Sequence, residues 1–204
     1  MYWPLPHAGR MPRCLAASGP CTWIWHAAAG RMPGSIACTF RTGTLADLEQ
    51  LHAYWYGDRF TQWQLKVMTA AELGHSGRAL HGPWPPPGLP EVSPGELRAH
   101  ARDQLAGYWR RLTHRPGIWL QDRWADFALV TLARTTAVMH DGVLITNSQA
   151  IAGLADFGVP APLAGQIRRR RAGEAVRVTA RRRLIRAAQA RQIMADGIRG
   201  LTAP

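Results

Sequence analysis

Three side chains near residue 130 carry the strongest chemical signal in the sequence: Asp122, Asp126 and Arg134. They sit in or just before the run WADFALVTLARTTAVMHD, residues 124–141. Phe127, Val130, Leu132, Ala133, Ala137 and Val138 recur there at mixed three- and four-residue spacing, which predicts a long amphipathic helix. Gly142 supplies its stop. An arginine inside such a segment is costly to desolvate and calls for an anion, either a protein carboxylate or a ligand phosphate. Asp122 and Asp126 are four residues apart and share a helix face. Two carboxylates so placed suit a cationic amine or guanidine, since both partners keep their charge at neutral pH. They equally suit a solvated first turn favoured by the helix dipole, and both readings stay open.

The elements that would position these residues are helical. Leu45, Leu48, Leu51 and Tyr54 follow a capping-box-like Thr44-Leu-Ala-Asp47, and Phe60, Trp63, Val67 and Ala71 mark a second helix over 59–73. Residues 84–94, WPPPGLPEVSP, form a proline-rich connector. Ser93-Pro94-Gly95-Glu96 joins a serine N-cap, a proline at the first helical position and a glutamate at the third, starting a helix that runs to about Leu112. Shorter helices are expected over 146–157, with Gln149 closing a capping box, then over 162–171 and 176–198. No alternation of period two follows residue 44, so the expected fold is all-α: a helical bundle over about 44–200.

Residues 1–43 have a different character. They contain no Asp or Glu, all three cysteines (Cys14, Cys21, Cys38), three tryptophans and no sustained period, which predicts an irregular, poorly ordered N-terminal segment. A shifted reading frame in GC-rich DNA would also produce such a stretch. The cysteines form no C-x-x-C pair, and with His7 and His26 they lack metal-ligand spacing, so no metal site is expected. The odd count favours a reducing compartment, and the expected location is cytoplasmic. No apolar run is long enough to span a membrane.

Charge is strongly one-sided. Twenty-five basic residues against 13 acidic ones give a net charge of +12, and Lys66 is the only lysine. The C-terminal third concentrates the excess, in Arg168–171, Arg177, Arg181–183, Arg186 and Arg191. Such clustering fits phosphate binding in a basic nucleic-acid module, though no aromatic side chain lies nearby to stack on bases. The alternative is a solvated helical face.

A family resemblance joins these features. Ala128–Arg134, ALVTLAR, followed by His140-Asp-Gly-Val143, resembles the V-L-T-L-[AC]-R…T/H-G pattern of aminoglycoside (streptomycin/spectinomycin) adenylyltransferases, in their C-terminal helical domain. Arg78-Ala-Leu-His-Gly-Pro83 resembles their V-x-L-x-G-P step, and Pro90-Glu-Val-Ser-Pro-Gly-Glu-Leu97 their D-P-V-S-x-x-D/E-L helix start. Order and spacing agree across roughly residues 50–175. The resemblance implies a transferase fold that moves AMP from ATP onto an aminoglycoside, conferring antibiotic resistance. It implies that Arg134 contacts ATP phosphate and that Asp122 and Asp126 face the aminoglycoside. It also implies ATP and Mg²⁺ as cofactors. The family's lysine at the next helix start is Asn147 here, and the aromatic after the arginine is replaced by Thr135 and Thr136. Trp63 matches a family tryptophan before the L-x-G-P step. The G-S-x…D-x-D carboxylates that hold two Mg²⁺ ions have no counterpart, so no catalytic residue is assigned and the catalytic half must come from a separate nucleotidyltransferase domain, if at all.

Overall fold

The structure is a computed structural model describing residues 21–26, 36–41, 51–56, 59–81, 84–85 and 88–203. It divides into two compact units, with the boundary between Val92 and Ser93.

The first unit carries a five-stranded antiparallel sheet and one helix. The strands are β1 Cys21–His26, β2 Ile36–Arg41, β3 Leu51–Tyr56, β4 Arg59–Gln64 and β5 Arg78–His81, in the order β4-β3-β2-β1-β5. Helix α1, Val67–Ser76, lies between β4 and β5 in the chain and buries Ala70 and Leu73. Two expectations change here. Residues 51–56 and 59–64, read above as helix, are a paired hairpin in which Tyr56 sits opposite Arg59. The segment LHAYWY is rich in aromatic residues, which suit a pleated surface. Within residues 1–43, read as irregular, Cys21–His26 pairs along its full length with Ile36–Arg41. The Thr44 start, Cys14 and His7 lie outside the described residues.

The second unit is all-α, so the expected helical bundle stands and its first residue moves from 44 to 93. One long helix opens it: α2 Pro94–Gln104, a π-helical turn Leu105–Trp109, and α3 Arg110–Thr113. Ser93 and Glu96 form the full capping box read from the sequence, with Ser93 N–H donating to Glu96 Oε2 at 2.8 Å. A 3-10 segment, Pro116–Leu120, turns the chain into α4 Asp122–Asp141. Gly142 ends α4 at φ 70°, a left-handed conformation that glycine adopts without a Cβ penalty. Then come α5 Asn147–Ala152, a 3-10 turn Gly153–Phe157, α6 Ala161–Arg171 and α7 Ala180–Thr202. Thr146 and Gln149 close the second capping box.

Helix α4 is the central element of this unit. Ala125, Ala128, Leu129, Leu132 and Ala133 bury one face against Ala187, Ala190, Met194 and Ile198 of α7, Trp119 of the 3-10 segment, and Leu154, Leu163 and Ile167. Alanines on both helices let α4 and α7 approach closely. At Gly197 a Cβ would fall 2.6 Å from Leu132 Cδ1. Trp119, at 1% exposed, donates its indole N–H to Leu112 O at 3.0 Å, which satisfies the ring's polar atom inside the core. Phe127, expected on the buried stripe, is instead 55% exposed and leans edgewise on Trp124 and at a tilt on Trp109. No described helix is long and apolar enough to cross a membrane.

Candidate functional site

Two clusters of charge gather on α4. The first lies at its N-terminus. Asp126 accepts a fork of two bonds from Arg170 of α6, Nε to Oδ2 at 2.6 Å and Nη2 to Oδ1 at 2.7 Å. One helical turn earlier, Asp122 pairs with Nη1 of Arg186 from α7, and Arg170 Nη1 stands 3.9 Å from its other oxygen. Arg186 is 3% exposed and its Nη2 also points at Leu120 O. Two arginines and two aspartates thus tie three helices together with balanced charge. Burial pulls the Arg170 guanidinium down, but its bond to Asp126 and the Asp126 and Asp122 charges outweigh burial and leave its pKa raised.

Arg170 and Arg186 stood in the sequence as members of a basic run. The structure separates them from it: these two turn inward while Arg168, Arg169, Arg181, Arg182 and Arg183 stay exposed. The signal for this is partial. Arg186 lies on the same face of α7 as Ala187, Ala190 and Met194, so helical phase marks it as inward, and an inward arginine requires an acid. Phase does not say which acid. Asp122 and Asp126, read as ligands of a cationic substrate, are brought together as expected, but each already holds an arginine. A cationic ligand would have to compete with a bidentate guanidinium at Asp126.

The second cluster surrounds Arg134, two turns further along α4. Its Nε donates to Ile145 O in the segment after α4, at 2.9 Å, which fixes the plane of its guanidinium. Arg171 of α6 lies close enough for the Arg134 charge to act on it. Burial first, and the Arg134 charge second, lower the Arg171 pKa. The Arg171 Nε is buried and has no hydrogen-bond partner among the described residues. Thr135 and Thr136, in place of the aromatic of the resembled pattern, donate back to Thr131 O and Leu132 O of their own helix. Asn147 takes the first position of α5, inside the Thr146–Gln149 capping box.

Two guanidiniums with one buried, unpartnered N–H form an arrangement that an oxyanion stabilises, because phosphate or carboxylate oxygens satisfy donors and charge together. Among the described residues no three His, Cys, Asp or Glu side chains converge as a metal-ligand group. Asp122 and Asp126 are each paired with arginine, so these two carboxylates do not fit a Mg²⁺ site. Compared with known proteins, the chain matches no family model, no curated protein and no solved structure.

Proposed function

We propose that the helical unit is a nucleotide-phosphate-binding domain of the aminoglycoside adenylyltransferase type, with Arg134 as the phosphate contact. The observation that carries this reading is the Arg134–Arg171 pair, one member braced by Ile145 O and the other holding a buried, unpartnered Nε. Two of the three motifs, at 90–97 and 128–143, lie at the start of this unit and within it and support the same reading from sequence, whereas 78–81 is strand β5 of the first unit. In this reading ATP is the cofactor, an aminoglycoside the small-molecule partner, and the first turn of α4 the edge that faces it. Asp122 and Asp126 would then serve by fixing Arg170 and Arg186 as well as by charge.

Transfer of AMP needs converging carboxylates to neutralise phosphate charge, and the sequence contains no D-x-D. The proposed role is therefore binding, with chemistry supplied by a separate nucleotidyltransferase domain. Titration of the full chain with ATP and with inorganic tripolyphosphate tests it. Both should bind, and Arg134→Ala and Arg171→Ala should each weaken binding roughly tenfold or more, the scale of one lost charge-assisted contact. Equal affinity in the Arg134→Ala variant would overturn the proposal. So would transfer of label from ATP to streptomycin by the chain on its own, which is expected to be undetectable.

A further inference from the structure

The α6–α7 corner carries the densest exposed charge among the described residues. Over 168–185 there are eight arginines and one acid, Glu174. Arg170 and Arg171 turn inward, leaving Arg168, Arg169, Arg177, Arg181, Arg182 and Arg183 exposed. Arg169 pairs with Glu174 through Nε at 2.6 Å, a contact in which both side chains are more than half exposed. The other five have no carboxylate partner among the described residues. A fold that turns two arginines inward, Arg170 onto Asp126 and Arg171 beside Arg134, and leaves the adjacent six at the surface has sorted them by role. Six like charges confined to the end of one helix, a short connector and the start of the next repel one another, and a polyanion relieves that repulsion.

We infer that this corner is a docking surface for a nucleic-acid duplex, held through its phosphates without base readout. Three observations select that partner. All six cations are arginines, whose planar fork engages phosphate oxygens in pairs. No aromatic residue occurs after Phe157, so stacking on unpaired bases is unsupported and the backbone is the only feature the corner can grip. Arg181, Arg182 and Arg183 are consecutive and follow one another at about 100° around α7, so their charge wraps the helix end instead of lying in one plane. A curved row of phosphates follows such an edge. A flat anionic membrane suits a helix whose cationic and apolar faces are segregated, and here the exposed apolar pair, Leu184 and Ile185, is itself splayed by about 100° and forms no stripe. This surface is separate from the Arg134–Arg171 pair, and its test does not depend on nucleotide binding.

The experiment is equilibrium binding of the full chain to a fluorescein-labelled DNA duplex across a salt series. Engagement of six phosphates predicts roughly a thousandfold loss of affinity between 50 and 200 mM salt. Replacing Arg181, Arg182 and Arg183 together by Gln should lower the slope of log affinity against log salt by about 2.7, at −0.9 for each phosphate lost. The matched triple Arg102→Gln, Arg110→Gln and Arg111→Gln, exposed on the first long helix, should leave the slope unchanged. All three substitutions in each set are at exposed positions, and helical circular dichroism confirms the fold of both variants. Absence of duplex binding at 50 mM salt would overturn the inference. An equal loss in the matched triple would do the same, because binding would then follow net charge and not the corner. Tighter binding to phosphatidylserine vesicles than to duplex, lost on Leu184→Asp with Ile185→Asp, would reassign the surface to membranes and also overturn it.

Discussion

Asp126 and Arg170 make the most consequential single contact in the helical unit. Their side chains are 18% and 16% exposed, so solvent screens them weakly, and removing one leaves the other charge partly buried. Asp126→Asn should cost about 2–3 kcal/mol in urea unfolding, because the bidentate acceptor is lost while the guanidinium stays. The double variant Asp126→Leu with Arg170→Met should recover much of that loss, since removing both charges also removes their desolvation. If the double variant is as unstable as Asp126→Asn, the pair holds geometry that apolar packing does not replace. The same scale shows what was readable in advance. Asp122, Asp126 and Arg134 stood out because charge in an apolar helix needs a partner. Their partners did not, because Arg170 and Arg186 lie 44 and 64 residues away from the acids they meet, and a single sequence carries no record of that pairing.

At the scale of elements, local signals held where they were chemically specific. The Ser93–Glu96 and Thr146–Gln149 boxes and the Gly142 stop all fall where the sequence placed them. Period was a poorer guide between 44 and 73, where leucine and aromatic residues fit either a helical stripe or a pleated strand, and pairing with β2 decides in favour of strand. Two predictions belong here. Hydrogen bonds from Ser93 lower the Glu96 pKa below 4.5 in the folded state, so the cap's contribution is present above the unfolded value and is lost as pH falls through the folded one. Acid unfolding should therefore begin below about pH 4.5 with a component that Glu96→Gln removes. Gly197→Val should cost about 1–3 kcal/mol by pressing on Leu132, where α7 meets α4. Leu132→Ala in the same chain should return part of it, read as a coupling between the two sites in thermal unfolding.

For the whole molecule, the division at residue 93 makes a concrete claim. Every member of the main apolar cluster, from Leu105 to Ile198, belongs to the helical unit. A fragment spanning 93–204, roughly 110 residues, is large enough to bury a core without staples. It should give a helical spectrum and one cooperative thermal transition, and a non-cooperative melt would show that the unit depends on what precedes it. This boundary was half visible in the sequence, as the proline-rich stretch 84–94. That stretch read as a loop inside one bundle because the helices expected before it are strands.

The π-helical turn at Leu105–Trp109 sets the rotational phase of the first long helix. Its buried apolar positions are Leu97, Ala101, Leu105, Trp109 and Leu112, spaced by four, four, four and three. In a regular α-helix each step of four overshoots a full circle by about 40°, so three in succession would carry Trp109 about 120° away from Leu97. The wider turn takes up part of that drift, and the tryptophan returns to the core side. The helix therefore works as two segments with different phase, joined by a built-in offset. Heptad or periodicity arithmetic that runs across residues 105–109 without a break will misplace every side chain on one side of it. Loss of one residue there, such as Gly107, would let the wide turn close into a regular α-helical one and leave Trp109 on the core side, about eleven steps of 100° from Leu97.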